Sequence, residues 1–141
     1  MPTMPISGND LARFSGPQTF MRLPEANSAE GLNVGFIGVP MDIGTSWRSG
    51  TRMGPKQLRE QSAMIRPYNI QTGAAPFDAL QCADLGDVAI NTFSLSDTIR
   101  LITETYDAHL KHDFIPMGLG GDHTMTLPIL RSIAKKHGPV A

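Results

Sequence analysis

The run Met117-Gly118-Leu119-Gly120-Gly121-Asp122-His123-Thr124 constrains the fold of this chain more than any other segment. It follows a short apolar stretch, residues 114–116, and precedes a helical pattern that starts near Thr126. The order strand, glycine-rich turn, helix places the turn at the carboxyl edge of an open α/β sheet, where ligands bind. Because flanking glycines let a histidine ring point into a cleft at that edge, His123 is a candidate metal ligand.

Alternating strand and helix patterns along the chain predict an α/β fold with a mostly parallel sheet. Short apolar runs bounded by proline or glycine are typical of buried strands, and such strands separated by helices form parallel sheets. The predicted strands are Asn33–Val39, Leu80–Leu85 and Phe114–Gly118, and the predicted helices follow Pro55, Ser94 and Thr126. Residues 66–78 contain two prolines and a glycine and are predicted to form a loop.

The helix after Ser94 has the clearest signals. Ser94 and Asp97 resemble a capping box, with Asp in place of the usual Glu or Gln. Apolar residues then recur at spacings of three and four, which predicts one buried helical face. These residues are Ile99, Ile102, Tyr106 and Leu110.

The last predicted helix carries an apolar line formed by Leu127, Leu130 and Ala134, and Gly138 fits its C-cap. Residues 139–141 look like the beginning of another strand. A strand that has only begun is an unusual carboxyl terminus, so we expect that this sequence is the amino-terminal part of a longer protein.

Composition excludes several classes of protein. Twelve basic and 13 acidic residues leave a net charge near zero, which gives no support to a nucleic-acid or anionic-membrane partner. No apolar run approaches the length of a membrane span, and the first 30 residues lack the pattern of a secretory signal. The single cysteine, Cys82, excludes an internal disulfide and suits a reducing cytoplasm. Its position beside Leu80 and Ala83 favours a buried structural thiol over a nucleophile.

Two motifs resemble those of the ureohydrolases, the family of arginases, agmatinases and related guanidino-acid hydrolases. Residues 120–124, Gly-Gly-Asp-His-Thr, followed by Leu-Pro-Ile-Leu-Arg at 127–131, look like the first metal motif of that family. Residues 38–44, Gly-Val-Pro-Met-Asp-Ile-Gly, followed by Arg-Ser-Gly-Thr-Arg-Met-Gly-Pro at 48–55, resemble the amino-terminal signature of its agmatinase branch. The order and separation of the motifs fit as well.

The resemblance implies a three-layer α/β/α fold and an oligomeric enzyme, a trimer or hexamer. It also implies two Mn²⁺ ions per subunit at the carboxyl edge of the sheet, where a bridging hydroxide attacks a guanidinium carbon and releases urea. His123 matches the histidine ligand of the first motif. The remaining ligands belong to two later motifs of the family, Asp-Ala-His-x-Asp and Asp-x-Asp, which this sequence lacks.

Several substrates and roles stay open. The resemblance favours agmatine as substrate, with guanidinobutyrate and guanidinopropionate as alternatives toward which residues 64–69 lean. A different class of function is a non-catalytic fragment or interaction module, because most of the metal ligands are missing. The catalytic and substrate-binding residues are unknown from this sequence.

The neighbours of His123 have structural interpretations too. We expect Asp122 to stabilise the turn or to support the metal ligand from outside its shell, with Gly120 and Gly121 forming the turn itself. A lone histidine in a turn can also be a hydrogen-bonded surface group. A phosphate cradle is disfavoured, because the run lacks the Gly-Lys-Ser/Thr ending of a P-loop and has His123 where a dinucleotide fingerprint has glycine.

The loop after the first strand is rich in arginine, with Glu60 as the only acidic residue between residues 46 and 66. Such arginines can bind an anion, but in loops of this kind they more often tie the loop to carboxylates of the fold or of a neighbouring subunit. The basic residues are Arg48, Arg52, Lys56, Arg59 and Arg66.

Other polar and aromatic residues receive mainly structural interpretations. Asp42 is predicted to stabilise its Pro-x-Asp-x-Gly turn. His109, His112 and His137 lie near helix ends and are predicted to be solvated or capping. Trp47 is compatible with a cleft or with a subunit contact.

The sequence divides into two regions. Residues 1–31 show no clear periodicity and are predicted to form an extended or poorly ordered arm, which can pack on another surface. Residues 32–141 are predicted to be the amino-terminal part of a ureohydrolase-like α/β domain.

Overall fold

A computed structural model describes residues 4–139 of the chain. In this part, three parallel strands form one sheet in the order β2-β1-β3, flanked by four helices. The strands are β1 (Val34–Val39), β2 (Cys82–Asp87) and β3 (Ile115–Gly120). The helices are α1 (Gly54–Ser62), α2 (Pro76–Ala79), α3 (Leu95–His109) and α4 (Thr126–His137).

The central strand β1 packs on both faces of the sheet. Val34 and Phe36 contact one buried cluster, whereas Ile37 and Val39 belong to another. The first cluster contains Leu23, Phe77 and Cys82, and the second contains Ile102, Tyr106, Leu110 and Phe114. Because alternate residues of a strand point to opposite faces, the sheet is covered on both sides. The predicted α/β/α layers with a parallel sheet are confirmed.

Helix α3 forms as its sequence signals predict. The Ser94 Oγ accepts a hydrogen bond of 3.2 Å from the Asp97 N–H, which satisfies one donor of the first turn. Ile102, Tyr106 and Leu110 are buried against the sheet. Capping and apolar spacing therefore agree, and both follow from local sequence alone.

Strand β3 runs to Gly120, two residues further than predicted, so Gly120 lies in the strand and not in the predicted turn. Gly118 pairs with Ile37 and Gly120 with Val39, so these glycines belong to the parallel ladder. A Cβ on Gly120 would lie 2.5 Å from the Sδ of Met125, so a larger residue here requires the Met125 side chain to move. The turn itself begins at Gly121.

Helix α4 begins and ends as predicted, but its apolar line faces outward. Leu127 and Leu130 are 47% and 44% exposed, whereas Ile129 and Ile133 pack against the core. The helix has apolar residues on two sides, and the sequence pattern did not show which side meets α3 and the sheet. Gly138 ends the helix with a φ of 83°, as the C-cap prediction requires.

The regions predicted to lack regular structure contain some short elements. Residues 4–31 include a single 3₁₀ turn at Phe20–Arg22, and Leu23 and Ala29 are fully buried in the core. The predicted loop 66–78 is wrong at its end, because α2 begins at Pro76 and buries Phe77. Residues 140–141 of the strand predicted at the carboxyl terminus lie outside the described residues.

The longest of the described helices is α3, with 15 residues. A helix that crosses a bilayer needs about 20 predominantly apolar residues. None of the helices within residues 4–139 has the length and apolar character for such a crossing.

Candidate metal-binding site

The turn that carries His123 lies at the carboxyl edge of the sheet, where β1 and β3 end side by side. The N–H of Gly121 donates to the carbonyl of Val39 at 3.3 Å, and the N–H of Asp122 donates to the carbonyl of Met41 at 2.9 Å. These backbone bonds join the turn after β3 to the loop after β1. The two sequence motifs, which lie far apart in the chain, are therefore neighbours in space.

Glycines allow the two segments to approach this closely. A Cβ on Gly121 would lie 2.4 Å from the Val39 carbonyl oxygen and 2.5 Å from that of Met41. A Cβ on Gly54, at the start of α1, would lie 2.3 Å from the carbonyl oxygen of Gly120. Real side chains do not tolerate such distances, so these positions require glycine for packing rather than for backbone freedom.

Asp122 fixes the turn through both oxygens of its buried carboxylate. Oδ2 accepts a hydrogen bond of 2.7 Å from the Gly44 N–H, and Oδ1 accepts one of 2.8 Å from the Thr124 N–H. The second bond caps the short 3₁₀ turn that begins at His123. The carboxylate thus links the two loops and orients the residue that follows it.

His123 is exposed beside the anchored Asp122. Its Nδ1 lies 3.3 Å from the hydroxyl oxygen of Thr126. The ring borders an open cavity of about 560 Å³ formed by the turn and the outward face of α4, including Leu127 and Leu130. A rigidly mounted, accessible imidazole of this kind suits metal coordination.

Asp42 organises the loop between β1 and α1. Its carboxylate accepts hydrogen bonds from the Arg52 Nε at 2.7 Å and from the Gly50 N–H at 2.8 Å. The Arg52 hydrogen bond, followed by that of Gly50, lowers the pKa of Asp42 to about 2. The structural role predicted for Asp42 is confirmed. Trp47, which lies between Asp42 and Gly50 in the sequence, is 87% exposed.

Arg59 joins α1 to β2 by a buried ionic cluster. Its Nε and Nη2 bind the two oxygens of Asp84 at 2.8 and 2.9 Å, and its Nη1 donates to Asp87. Burial disfavours the charged guanidinium, but the hydrogen bonds that it donates to Asp84 and Asp87 outweigh burial and raise its pKa. The prediction that arginines of this region bind carboxylates of the fold is confirmed for Arg52 and Arg59, whereas Arg48 and Arg66 are exposed.

The remaining candidate groups lie away from the turn. Cys82 is buried in β2, and burial raises the pKa of its thiol, so the prediction of a structural thiol is confirmed. His109 is half-buried, with its ring edge-on to Phe114, and burial followed by the nearby His112 lowers its pKa. His112 contacts the Ser28 hydroxyl at 3.3 Å, and His137 is exposed.

The described part of the chain does not hold a complete metal site. Within residues 4–139 no three His, Cys, Asp or Glu side chains converge in a way that would hold a metal ion. Both Asp122 oxygens accept hydrogen bonds from backbone donors, whereas the side chain of His123 is exposed. A protein metal site needs several ligands, so the described residues supply only part of such a site.

Comparison with known proteins identifies the family. Residues 32–141 match the Arginase family. This chain belongs to that family. A guanidinobutyrase from Pseudomonas aeruginosa is 58% identical over 139 residues, which cover 96% of this chain and 44% of that protein. A mitochondrial agmatinase from Gallus gallus is 50% identical over 97% of this chain and 40% of its own length.

The solved structures of Arginase-family relatives share the fold. Proclavaminate amidino hydrolase from Streptomyces clavuligerus superimposes with a TM-score of 0.84 at 37% identity, over 92% of this chain and 44% of that one. The chain therefore spans less than half the length of the relatives it matches. The family and fold inferred from the two motifs are confirmed.

Sequence reasoning did not identify how the two motifs are connected. Gly44 was noted only as part of a motif, yet its N–H is what binds Asp122, and a Cβ there would lie 2.2 Å from the Thr124 hydroxyl. The sequence predicted that arginines of this region bind carboxylates of the fold, but it did not identify Asp84 and Asp87 as the partners of Arg59. The signal that could have found it is the spacing of Asp84 and Asp87 at the end of a predicted strand beside an arginine-bearing helix.

Proposed function

We propose that the complete protein is an amidinohydrolase that cleaves a linear guanidino compound to urea and an amine. The observation that carries this proposal is the hydrogen bond of 2.7 Å between Gly44 and Asp122, which joins the two family motifs at one edge of the parallel sheet. That edge is where open α/β sheets place their ligands. Membership of the Arginase family supports the same reaction class.

We assign to His123 the role of one ligand in a dinuclear Mn²⁺ site. Imidazole mixed with carboxylates suits Mn²⁺, and the side chain of His123 is exposed at the turn. Asp122 is assigned a positioning role, because both of its oxygens bind backbone N–H groups. Gly120 and Gly121 permit the close approach of the strands and loops that support it. The other ligands come from the part of the protein outside residues 4–139.

Two substrate classes follow from the relatives. The guanidinobutyrase at 58% identity supports a guanidino carboxylate, and the agmatinase at 50% identity supports a guanidino amine. The two substrates share the guanidinium that is hydrolysed and differ in the charge at the other end. Guanidinopropionate is a shorter carboxylate of the first class.

The test is urea release by the full-length protein with Mn²⁺ and each of agmatine, 4-guanidinobutyrate and 3-guanidinopropionate. The proposal predicts manganese-dependent urea formation from at least one of them, and the ratio of kcat/KM values identifies the class. His123→Ala, with His137→Ala as a matched exposed histidine, ties the activity to the turn. Absence of urea from all three substrates in a folded, manganese-loaded protein would favour the non-catalytic alternative.

We also propose that the complete protein forms a homo-oligomer, a trimer or hexamer. Trp47 and Phe93 are 87% and 97% exposed, and large apolar side chains at the surface often mark subunit contacts. Light scattering of the full-length protein tests this directly. Trp47→Ser and Phe93→Ser are expected to shift the mass toward the monomer if these residues lie in the contact.

A further inference from the structure

The loop after β1 carries an exposed tip, residues 46–49, which we call the flap. Within the described residues 4–139, the flap makes no hydrogen bond or ion pair with another segment. All of its residues are exposed, and the side chain of Trp47 is 87% exposed. Backbone that lacks buried side chains and hydrogen-bond partners rearranges at little cost in free energy. We therefore expect the flap to respond to changes in the segments that hold its ends.

Asp42 holds both ends of the flap. Before the flap, the N–H and the hydroxyl of Thr45 donate to the Asp42 carbonyl oxygen at 3.3 and 2.8 Å. After the flap, the N–H of Gly50 donates to the Asp42 carboxylate at 2.8 Å. Gly50 has a φ of 131°, a conformation that glycine adopts without steric cost. The flap can therefore change its conformation between two fixed points while β1 and α1 stay in place.

The segment before the flap is also joined to the turn that carries His123. The N–H of Gly44 donates to Asp122 at 2.7 Å, and the other carboxylate oxygen of Asp122 accepts from the Thr124 N–H at 2.8 Å. A Cβ on Gly44 would lie 2.2 Å from the Thr124 hydroxyl oxygen, so the loop lies directly against the turn. Asp122 adjoins His123 in the sequence, and Gly44 lies two residues before the flap. One carboxylate thus connects the candidate metal ligand to the flap.

A cation at the turn would act on this connection. Asp122 is buried, and both of its oxygens bind backbone N–H groups. Bound divalent ions are commonly the largest local charges of a site, and the groups around a metal ligand fix its orientation. Rigidity gained at one site lowers the entropy cost of ordering a segment that is bonded to it. Metal occupancy of the turn is therefore expected to reach the flap as a gain in order.

We propose that metal binding at His123 orders the flap, and that the hydrogen bond between Asp122 and Gly44 couples the two. The proposal rests on the metal-ligand role that we assign to His123, and not on the amidinohydrolase reaction. Because coupling between two sites is reciprocal, whatever orders the flap also raises the affinity of the turn for the metal. A subunit contact at Trp47 would act in this way. In the complete protein, the flap then regulates how firmly the metal is retained.

Hydrogen–deuterium exchange of the full-length protein, with and without Mn²⁺, tests the coupling. The reporter peptide covers residues 43–50, and the reference peptide covers residues 66–74, an exposed segment that follows α1. The variants are His123→Ala, which removes the ligand, and Asp122→Asn, which weakens the connection. Asp113→Asn is the matched control, because the Asp113 side chain is fully exposed. Manganese content is measured for each protein, and catalytic activity is not needed.

The proposal predicts that Mn²⁺ slows exchange in residues 43–50 of the wild type and of Asp113→Asn by about fivefold or more, the lower end of typical coupling between sites. Exchange in residues 66–74 should not change. In His123→Ala, Mn²⁺ should leave the exchange of both peptides unchanged. In Asp122→Asn, exchange in residues 43–50 should be faster than in the wild type before Mn²⁺ is added. Manganese at a concentration that fills the site should then slow it by a smaller factor.

Unchanged exchange of residues 43–50 in a wild-type protein that has bound Mn²⁺ would overturn the proposal. Equal protection in the wild type and in Asp122→Asn, at equal manganese content, would do the same. If Asp122→Asn does not fold, the wild type and His123→Ala decide, and equal protection in both contradicts the proposal. A wild type that binds no manganese contradicts the proposal together with the role of His123. Protection of the flap without urea release contradicts the proposed reaction alone.

Discussion

The two sides of the sheet, at β2 and at β3, differ in how completely residues of this chain cover them. On the β2 side, Arg59 of α1 binds Asp84 and Asp87 of the edge strand. On the β3 side, Ile115 and Met117 are 62% and 47% exposed at the edge strand. The first flank is completed by residues of this chain, whereas the second presents apolar side chains to solvent. We call these the closed flank and the open flank.

The two flanks differ in what this chain leaves exposed on them. Parallel strands are usually buried on both faces, whereas Ile115 and Met117 of β3 are exposed. His123 follows β3 in the chain, and the cavity beside it includes the outward Leu127 and Leu130 of α4. Under the proposed function, we place the reacting side of the complete protein on this flank. The closed flank holds the shared turn in place.

The largest predicted effect is on the closed flank. Arg59→Met leaves Asp84, which is 1% exposed, as an unpaired buried carboxylate. We expect the free energy of unfolding to fall by about 3–5 kcal/mol, the usual cost of breaking a buried pair. Urea denaturation followed by circular dichroism measures it.

The control for Arg59 is Arg100→Met, which removes an exposed pair between Arg100 and Glu104 on α3. Exposed pairs of this spacing contribute about 0.3–0.5 kcal/mol. If the two variants lose similar free energies of unfolding, a buried ionic cluster does not stabilise the closed flank. The difference described between the two flanks would then be wrong.

The second largest loss of stability is expected at Asp122, which joins the loop after β1 to the turn after β3. Asp122→Ala removes the acceptor of the Gly44 and Thr124 N–H groups, and we expect a loss of about 2 kcal/mol. Asp122→Asn keeps one oxygen acceptor and should lose about half as much. Chemical denaturation of both variants checks the ranking. Equal losses would show that the two hydrogen bonds do not carry the effect.

The sequence predicted local features of both flanks well and long-range pairings poorly. Helix α3 was predictable because Ser94 and the spacing of Ile102 and Tyr106 act within a few residues. The partners of Arg59 depend on how β2 sits beside α1, which no local pattern contains. The burial of Arg22 was not predicted from the sequence. It depends on the path of residues 4–31, in which Met21 and Arg22 have positive φ angles.

The glycine-rich run shows a limit of a different kind. Its glycines predict a turn after Gly118, yet Gly120 pairs with Val39 as the last residue of β3. In a similar way, α4 has apolar residues on two sides, and only the packing of Ile129 and Ile133 selects the inner one. The position of His123 was nevertheless predictable, because it lies between the strand and the helix.

Acid should loosen the loop that leads to the open flank. Because the folded-state pKa of Asp42 is lowered from 3.8 to about 2 by Arg52 and Gly50, its ionised form stabilises the fold above pH 4. That stabilisation is lost as the pH falls from about 4 to about 2. The wild type should therefore lose stability over this window, and Asp42→Asn should lose less. If the Tm of the wild type and that of Asp42→Asn fall equally between pH 5 and pH 2, this role is contradicted.

The smallest effect is expected on the open flank itself. Leu130 is 44% exposed, so Leu130→Gln in the 141-residue chain should change the free energy of unfolding by less than about 0.5 kcal/mol. Ile133→Gln, on the inner side of α4, should cost about 2 kcal/mol or more. In the full-length protein we expect Leu130→Gln to become costly, because further chain covers it. Equal small effects in both proteins would show that the flank stays open.

The measurement that tests the central claim most directly is the manganese content of full-length wild type, His123→Ala and His137→Ala after dialysis against Mn²⁺. The account predicts that His123→Ala binds less manganese than the other two proteins. Its affinity should fall by at least the roughly 10- to 100-fold seen when a supporting partner of a metal ligand is lost. His137→Ala should bind as the wild type does. Manganese binding in His123→Ala equal to that of wild type would contradict the assignment of the turn as a metal site.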